Sequence, residues 1–165
     1  MRYTLYPSLR GRTVFVSGGS SGIGAELVRA FAAQGSRVAF SGTRPDGGAA
    51  LIAELTAENS SAKLMYEACD VRDIAALQSL LERVAASWGP IRVLVNNAGR
   101  DDRHALDELT PEYWDNCLAI NLRHQVFATQ SVARQLKAAQ LPGSVINMGS
   151  ISWMRGRPNL IGYTA

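Results

Sequence analysis

The stretch Thr13-Val14-Phe15-Val16-Ser17-Gly18-Gly19-Ser20-Ser21-Gly22-Ile23-Gly24 decides the fold. A short apolar run leads without interruption into glycines and serines, and an amphipathic helical pattern starts directly behind them. Such a strand–loop–helix predicts a backbone that turns sharply and comes close to a ligand with no Cβ in the way. The unpaired N–H groups of the helix start then favour an anion, and a diphosphate fits. Gly18, Gly22 and Gly24 give the spacing G-x-x-x-G-x-G, which differs from the commonest dinucleotide fingerprint, G-x-G-x-x-G. An ordinary strand-to-helix turn is one rival reading. Another is the G-x-S-x-G nucleophile elbow of hydrolases, which Gly18 to Gly22 match literally. That elbow needs an acid and a histidine downstream, yet the only histidines are His104 and His124, and neither has a convincing acidic partner in place.

Outward from this loop, short apolar runs alternate with longer amphipathic stretches, with no internal repeat and no low-complexity linker. Strands are predicted at about 13–17, 37–41, 63–68, 91–95 and 143–148, and helices at about 22–34, 46–58, 73–87 and 111–139. Thr110 as N-cap and Pro111 at the first helical position open the last helix, whose length predicts a bend. Alternation of this kind implies an α/β fold, a doubly wound parallel sheet in a single domain over residues 1–165.

The composition of the 165 residues is globular, with 47% hydrophobic and 19% charged residues. A net charge of +3 is spread without a Lys/Arg block, so charge patterning gives no reason to expect a nucleic acid or anionic membrane partner. No apolar run approaches the roughly 18 residues of a membrane span, and the first twelve residues lack the long apolar core of a signal peptide. Cys69 and Cys117 lie in stretches that read as interior, which agrees with a reducing, cytoplasmic compartment.

Two further motifs follow the glycine loop in order: Asn96-Asn97-Ala98-Gly99 after the fourth strand, and Ser150 followed thirteen positions later by Tyr163. Together they resemble the short-chain dehydrogenase/reductase family, over essentially the whole chain from Leu9 onward. The resemblance implies a Rossmann-type sheet of order 3-2-1-4-5 that binds NAD(H) or NADP(H). Gly18, Gly22 and Gly24 match its pyrophosphate loop, which Ser17, Ser20, Ser21 and Ile23 complete. Asp70 and Val71 match the pair that contacts the adenine, and Asn97, Ala98 and Gly99 the nicotinamide-ribose side. Asn121, Ser150 and Tyr163 match three of four catalytic positions.

The chemistry asks for these residue types. Hydride leaves a carbinol carbon only as the hydroxyl loses its proton, so a phenol must serve as base although phenols ordinarily titrate near ~10. The resemblance assigns that role to Tyr163, assigns to Ser150 a hydrogen bond to the developing alkoxide or carbonyl oxygen, and has Asn121 fix a proton-relay water. The fourth catalytic position of the family is a lysine four residues after the tyrosine, where this sequence has only Thr164 and Ala165. The resemblance therefore implies a front portion of such an enzyme, without its C-terminal strands, with impaired turnover and with less of the family's homo-oligomer interface.

Finer stretches, TLYPSLRGR, NNAGRDDRH, TPEYWDNCLAINLRHQ and INMGSISW, are similar to the subgroup that oxidises free aldoses at the anomeric carbon to lactones. A small-molecule sugar is then the expected partner, with His104 in the charged loop after Gly99 and Trp153 near Ser150 as candidates to line its pocket. A reductase of 3-oxoacyl or other carbonyl substrates and a non-catalytic nucleotide-binding module are the alternatives. A metal at Asp102 and His104 is disfavoured because no further ligands stand out. NAD-preferring members carry an acid at the end of the second strand, where this chain has Gly42; Arg44, two residues on, suits the 2′-phosphate of NADP(H).

Overall fold

The computed structural model describes residues 4–164; Met1, Arg2, Tyr3 and Ala165 lie outside it. Five parallel strands, β1 (Thr13–Val16), β2 (Arg37–Gly42), β3 (Lys63–Ala68), β4 (Ile91–Asn96) and β5 (Ser144–Asn147), form one sheet in the order β3-β2-β1-β4-β5. The helices are α1 (Gly22–Ala33), α2 (Ala49–Glu58), α3 (Ile74–Trp88), α4 (Pro111–Leu118), α5 (His124–Ala138), α6 (Ser152–Arg155) and α7 (Ile161–Thr164).

Alternation along each strand divides the core between the two faces of the sheet. Val14, Val16, Val38 and Phe40 pack with Val28, Ala32, Leu51 and Leu55 of α1 and α2. Phe15, Ala39 and Leu94 pack on the other face with Leu77, Leu80, Leu81 and Val84 of α3 and with Ala128 and Val132 of α5. Because both faces of the central strands are covered, Val14, Phe15 and Val16 are apolar, and the buried Thr13 hydroxyl is satisfied by donating to the Trp88 carbonyl at 3.0 Å.

Local chemistry sets the helix starts. Asp73 caps α3, its carboxylate accepting the Ala76 N–H at 2.9 Å, and Thr110 caps α4 by accepting the Tyr113 N–H at 3.2 Å. The predicted 111–139 helix is two helices joined by a π-helical turn, Ala119–Arg123, which contains Asn121. A wider turn displaces the regular hydrogen-bond ladder and is the physical form of the expected bend. The second helix starts at Ala49, three residues later than the sequence pattern suggests, because residues 43–48 form a loop folded against Tyr66.

Candidate functional site

The order β3-β2-β1-β4-β5 reverses direction between β1 and β4, and parallel sheets hold ligands outside the carboxyl ends of strands at such a point. A cleft of about 500 Å³ lies there. The glycine loop contributes Gly18, Ser20, Ser21, Ile23 and Gly24, the segment after β3 contributes Asp70 and Val71, and the turn after β4 contributes Asn97, Ala98 and Gly99. A larger groove of about 1030 Å³, between residues 5–10 and the C-terminal ends of α1 and α2, sits at the opposite end of the strands, where this topology offers no switch point.

Gly18 has φ +66°, a left-handed conformation that favours glycine. A Cβ on Gly24 would lie 2.0 Å from the Gly18 carbonyl oxygen and 2.6 Å from Asn97 Nδ2, so loop and helix meet only without a side chain there. Ser21 is the N-cap of α1 and makes no side-chain cap, which leaves the first-turn N–H groups without that partner. Ser17 is buried behind the cleft: its hydroxyl oxygen accepts the N–H groups of Asn97 and Ala98, each at 3.1 Å. Asn97 Nδ2 returns the tie to the carbonyls of Ser17 and Gly18, both at 3.1 Å. These bonds fix the glycine loop to the turn after β4 as one unit.

At the other end of the cleft, the Asp70 carboxylate takes the guanidinium of Arg72, with Nε 3.0 Å from Oδ1 and 2.9 Å from Oδ2. This partner holds the Asp70 carboxyl below the ordinary carboxylate range, against the opposing pull of burial. Gly42 lines the cleft beside Ser20, where a Cβ would be 2.4 Å from Ser20 Oγ, a hydroxyl that can rotate away. The Tyr66 hydroxyl donates to the Arg44 carbonyl, and Gly48 lies flat against the Tyr66 ring, where a Cβ would be 2.2 Å from Cγ. Arg44 itself is exposed and is not among the residues that line the cleft.

Asn121 uses its whole side-chain amide locally. Its Oδ1 accepts the Arg100 N–H at 2.8 Å and its Nδ2 donates to the Arg100 carbonyl at 3.0 Å, clamping the residue after Gly99. The Asn121 main-chain carbonyl accepts from Gln125 Nε2 at 2.8 Å. Next to it, His124 is fully buried, and its Nε2 lies 3.1 Å from the Ala98 carbonyl oxygen, which makes the ring the Nε2–H donor; Nδ1 has no hydrogen-bond partner. Burial pushes the His124 pKa below its ordinary 6.5, only partly offset by the carbonyl bond.

Ser150 and Tyr163 come from the chain after β5. Ser150 Oγ donates to Ser152 Oγ at 2.9 Å and accepts the Ser152 N–H at 3.2 Å, at the start of α6. Tyr163 sits on α7, which is moored by Gly162, whose Cβ position is 2.9 Å from Cys117 Sγ, and by Leu160, buried and bridged in parallel to His104. His104 is therefore built into a support: its N–H donates to Asn159 O at 2.9 Å and its ring lies 3.8 Å, centroid to centroid, from that of Tyr113. Trp153 is 67% exposed on α6. Among the described residues there is no group of three or more His, Cys, Asp or Glu placed to hold a metal, and no helix is long and apolar enough to cross a membrane.

The sequence reading missed Tyr66, Arg72, His124 and Gln125. Only Arg72 carried a signal, standing two residues from Asp70, a spacing at which a turn brings opposite charges together.

The short chain dehydrogenase family model matches residues 12–165. D-xylose 1-dehydrogenase of Caulobacter vibrioides is 44% identical over 163 residues, covering 99% of this chain and 63% of that protein. A probable galactose dehydrogenase of Rhizobium meliloti is 43% identical over 159 residues, covering 96% of this chain and 61% of its own length. Among solved structures, a short-chain dehydrogenase/reductase of Serratia marcescens superposes with a TM-score of 0.86 at 32% identity, over 96% of this chain and 63% of that one. The chain thus spans somewhat less than two thirds of the relatives it matches, and the part it spans holds the glycine loop, the Asn-Asn-Ala-Gly turn and the Ser/Tyr pair. Switch-point cleft, motif order and family match converge, and the chain belongs to the short-chain dehydrogenase family.

Proposed function

We propose that this chain provides the cofactor site and the Asn121, Ser150 and Tyr163 positions of an NAD(P)-dependent sugar 1-dehydrogenase that oxidises an aldose to its lactone. The observation that carries the substrate class is the pair of relatives above 40% identity whose names specify aldoses, D-xylose and galactose. The cleft fits a dinucleotide: a cradle closed to any Cβ at Gly24, helix N–H groups without a side-chain cap, and a carboxylate at the far end. Bound nicotinamide supplies the hydride acceptor. The glycine loop holds the pyrophosphate, Asp70 and Val71 take the adenine, and Asn97 to Gly99 face the nicotinamide ribose.

Tyr163 takes the proton of the anomeric hydroxyl while the Ser150 hydroxyl donates to the same oxygen. The Asn121 amide is committed to Arg100, so the Asn121 group left to hold a relay water is its main-chain carbonyl, which Gln125 now occupies. Arg44 on its exposed loop favours NADP(H), and Gly42 leaves no carboxylate at the end of β2 to favour NAD(H). His104 acts on the sugar site through the loop it braces, and Trp153 covers the substrate side. The protein acts on a small molecule, as a homo-oligomer, in the cytoplasm.

Cofactor reduction measured with D-xylose, D-galactose and a 3-oxoacyl thioester (the last with reduced cofactor) tests the reading. Turnover with an aldose that Tyr163→Phe lowers at least about a hundredfold supports it. Turnover with the thioester alone replaces it with a carbonyl reductase.

A further inference from the structure

Opposite charges two residues apart can meet in this chain, as Asp70 with Arg72 and Arg100 with Asp102 do. Arg44 and Asp46 stand at the same spacing on the exposed loop between β2 and α2, yet they form no ion pair. Spacing alone does not compel pairing, since Asp101 and Arg103 also stay apart. What separates Arg44 from Asp46 lies in their own turn.

Arg44-Pro45-Asp46-Gly47 is closed by the Gly47 N–H, which donates to the Arg44 carbonyl at 3.1 Å, and proline second and glycine fourth suit such a turn. The same carbonyl accepts from the Tyr66 hydroxyl of β3. That hydroxyl oxygen sits between the two limbs of the loop, 3.1 Å from the Cβ position of Gly42 and 2.8 Å from that of Gly47. The Tyr66 ring is braced by Phe40, 5.2 Å from it centroid to centroid. One phenol thus ties to the sheet a surface loop that leads out of the cleft, whose lining includes Gly42 and Thr43. We propose that Tyr66 is a positioning residue for cofactor choice: by holding the Arg44 carbonyl it keeps the guanidinium from folding back onto Asp46 and leaves it open to the 2′-phosphate of NADP(H). A guanidinium paired with Asp46 would have to give up that partner before meeting a phosphate, which costs affinity for NADP(H) and none for NAD(H). The inference rests on the reading of Arg44 as the residue that meets the 2′-phosphate.

The test is the binding of NADPH and NADH to the 165-residue chain by titration calorimetry. The wild type is expected to favour NADPH, and Arg44→Ala to weaken NADPH by about tenfold or more while NADH stays within about twofold. Tyr66→Phe keeps the ring against Phe40 and removes only the hydroxyl; it should weaken NADPH about fivefold and leave NADH within about twofold. Asp46→Asn added to Tyr66→Phe should return most of the lost NADPH affinity, because the competing partner is gone. In an otherwise wild-type chain the same change should raise NADPH affinity by less than about twofold.

A selective loss in Arg44→Ala with none in Tyr66→Phe overturns the positioning role and leaves the reading of Arg44 standing. So does an equal loss of both cofactors in Tyr66→Phe, which would make the hydroxyl a support of the whole site, or an Asp46→Asn gain of the same size with and without the hydroxyl. A wild type without a preference for NADPH, or an Arg44→Ala variant that treats both cofactors alike, overturns the reading of Arg44 and the inference with it. A wild-type chain that binds neither cofactor overturns these and the dinucleotide site as well.

Discussion

Strands β1 and β5 lie in the same parallel sheet and are both built of β-branched and aromatic or small residues, yet they live in different surroundings. Val14, Phe15 and Val16 are 0% exposed, whereas Val145 and Ile146 are 40% and 42% exposed. The first strand is paired on both sides and covered on both faces; the last pairs with β4 alone. The glycine loop follows directly on the better packed strand. Ser150 and Tyr163 instead follow the less covered one and are placed by short local devices, the Ser150–Ser152 bond and the mooring of α7 on Cys117 and His104. In this chain the segment proposed to bind the cofactor is built into the core, and the segment proposed to handle the proton is attached to it.

Core truncation should break the contrast most clearly. Phe15→Ala is expected to cost about 3–5 kcal/mol, and Ile146→Ala less than about 1 kcal/mol, both by urea denaturation of the 165-residue chain. Comparable losses would mean that β5 is as well covered as β1. Glycine replacements sharpen the same comparison at smaller size. Gly24→Ala forces a Cβ to 2.0 Å from a backbone oxygen and should cost about 1–3 kcal/mol together with most dinucleotide affinity. Gly149→Ala meets nothing within 4 Å and should shift stability by no more than about 0.5 kcal/mol, with binding unchanged. Equal loss of binding in both variants would place the cofactor nearer Ser150 than the cleft allows.

Most of the architecture was legible because buried parallel strands announce themselves as apolar runs and the glycine loop marks the first crossover. The strand order 3-2-1-4-5 came from the family resemblance and holds in the structure. The start of α2 was not legible: residues 46–48 have no feature that says they will be drawn against the Tyr66 ring, a contact made across the sheet order. The bend in the long fourth helix was legible as a length anomaly, but its form, a π-helical turn around Asn121, depends on the ties of Asn121 to Arg100 and of His124 to Ala98. His104 stands in a polar loop, which makes it a candidate to line a sugar pocket. Its close, tilted contact with the Tyr113 ring and its bridge to Leu160 need tertiary structure to be seen.

The smallest expected effect distinguishes the two halves by pH. His124 is buried against the cofactor turn, and its pKa is lowered in the folded chain from an ordinary value of 6.5. The unfolded chain therefore binds the proton first as pH falls. Stability from this residue is complete above about 6.5 and declines below it, by at most about 1.4 kcal/mol per pH unit, until the lowered folded-state pKa is reached. The carboxyls of Glu54, Asp70 and Glu112, whose pKa values are also lowered, act differently: their contribution is lost only as pH falls through and below the ordinary carboxylate range near ~4. A decline between pH 6.5 and 5 thus belongs to His124, whereas dinucleotide binding by the chain that remains folded should not follow it, because the folded ring stays neutral above its lowered pKa and keeps its Nε2–H bond to the Ala98 carbonyl. In His124→Gln the slope between pH 6.5 and 5 should flatten even if overall stability is lower. An unchanged slope would move the acid sensitivity away from His124 and the turn after β4.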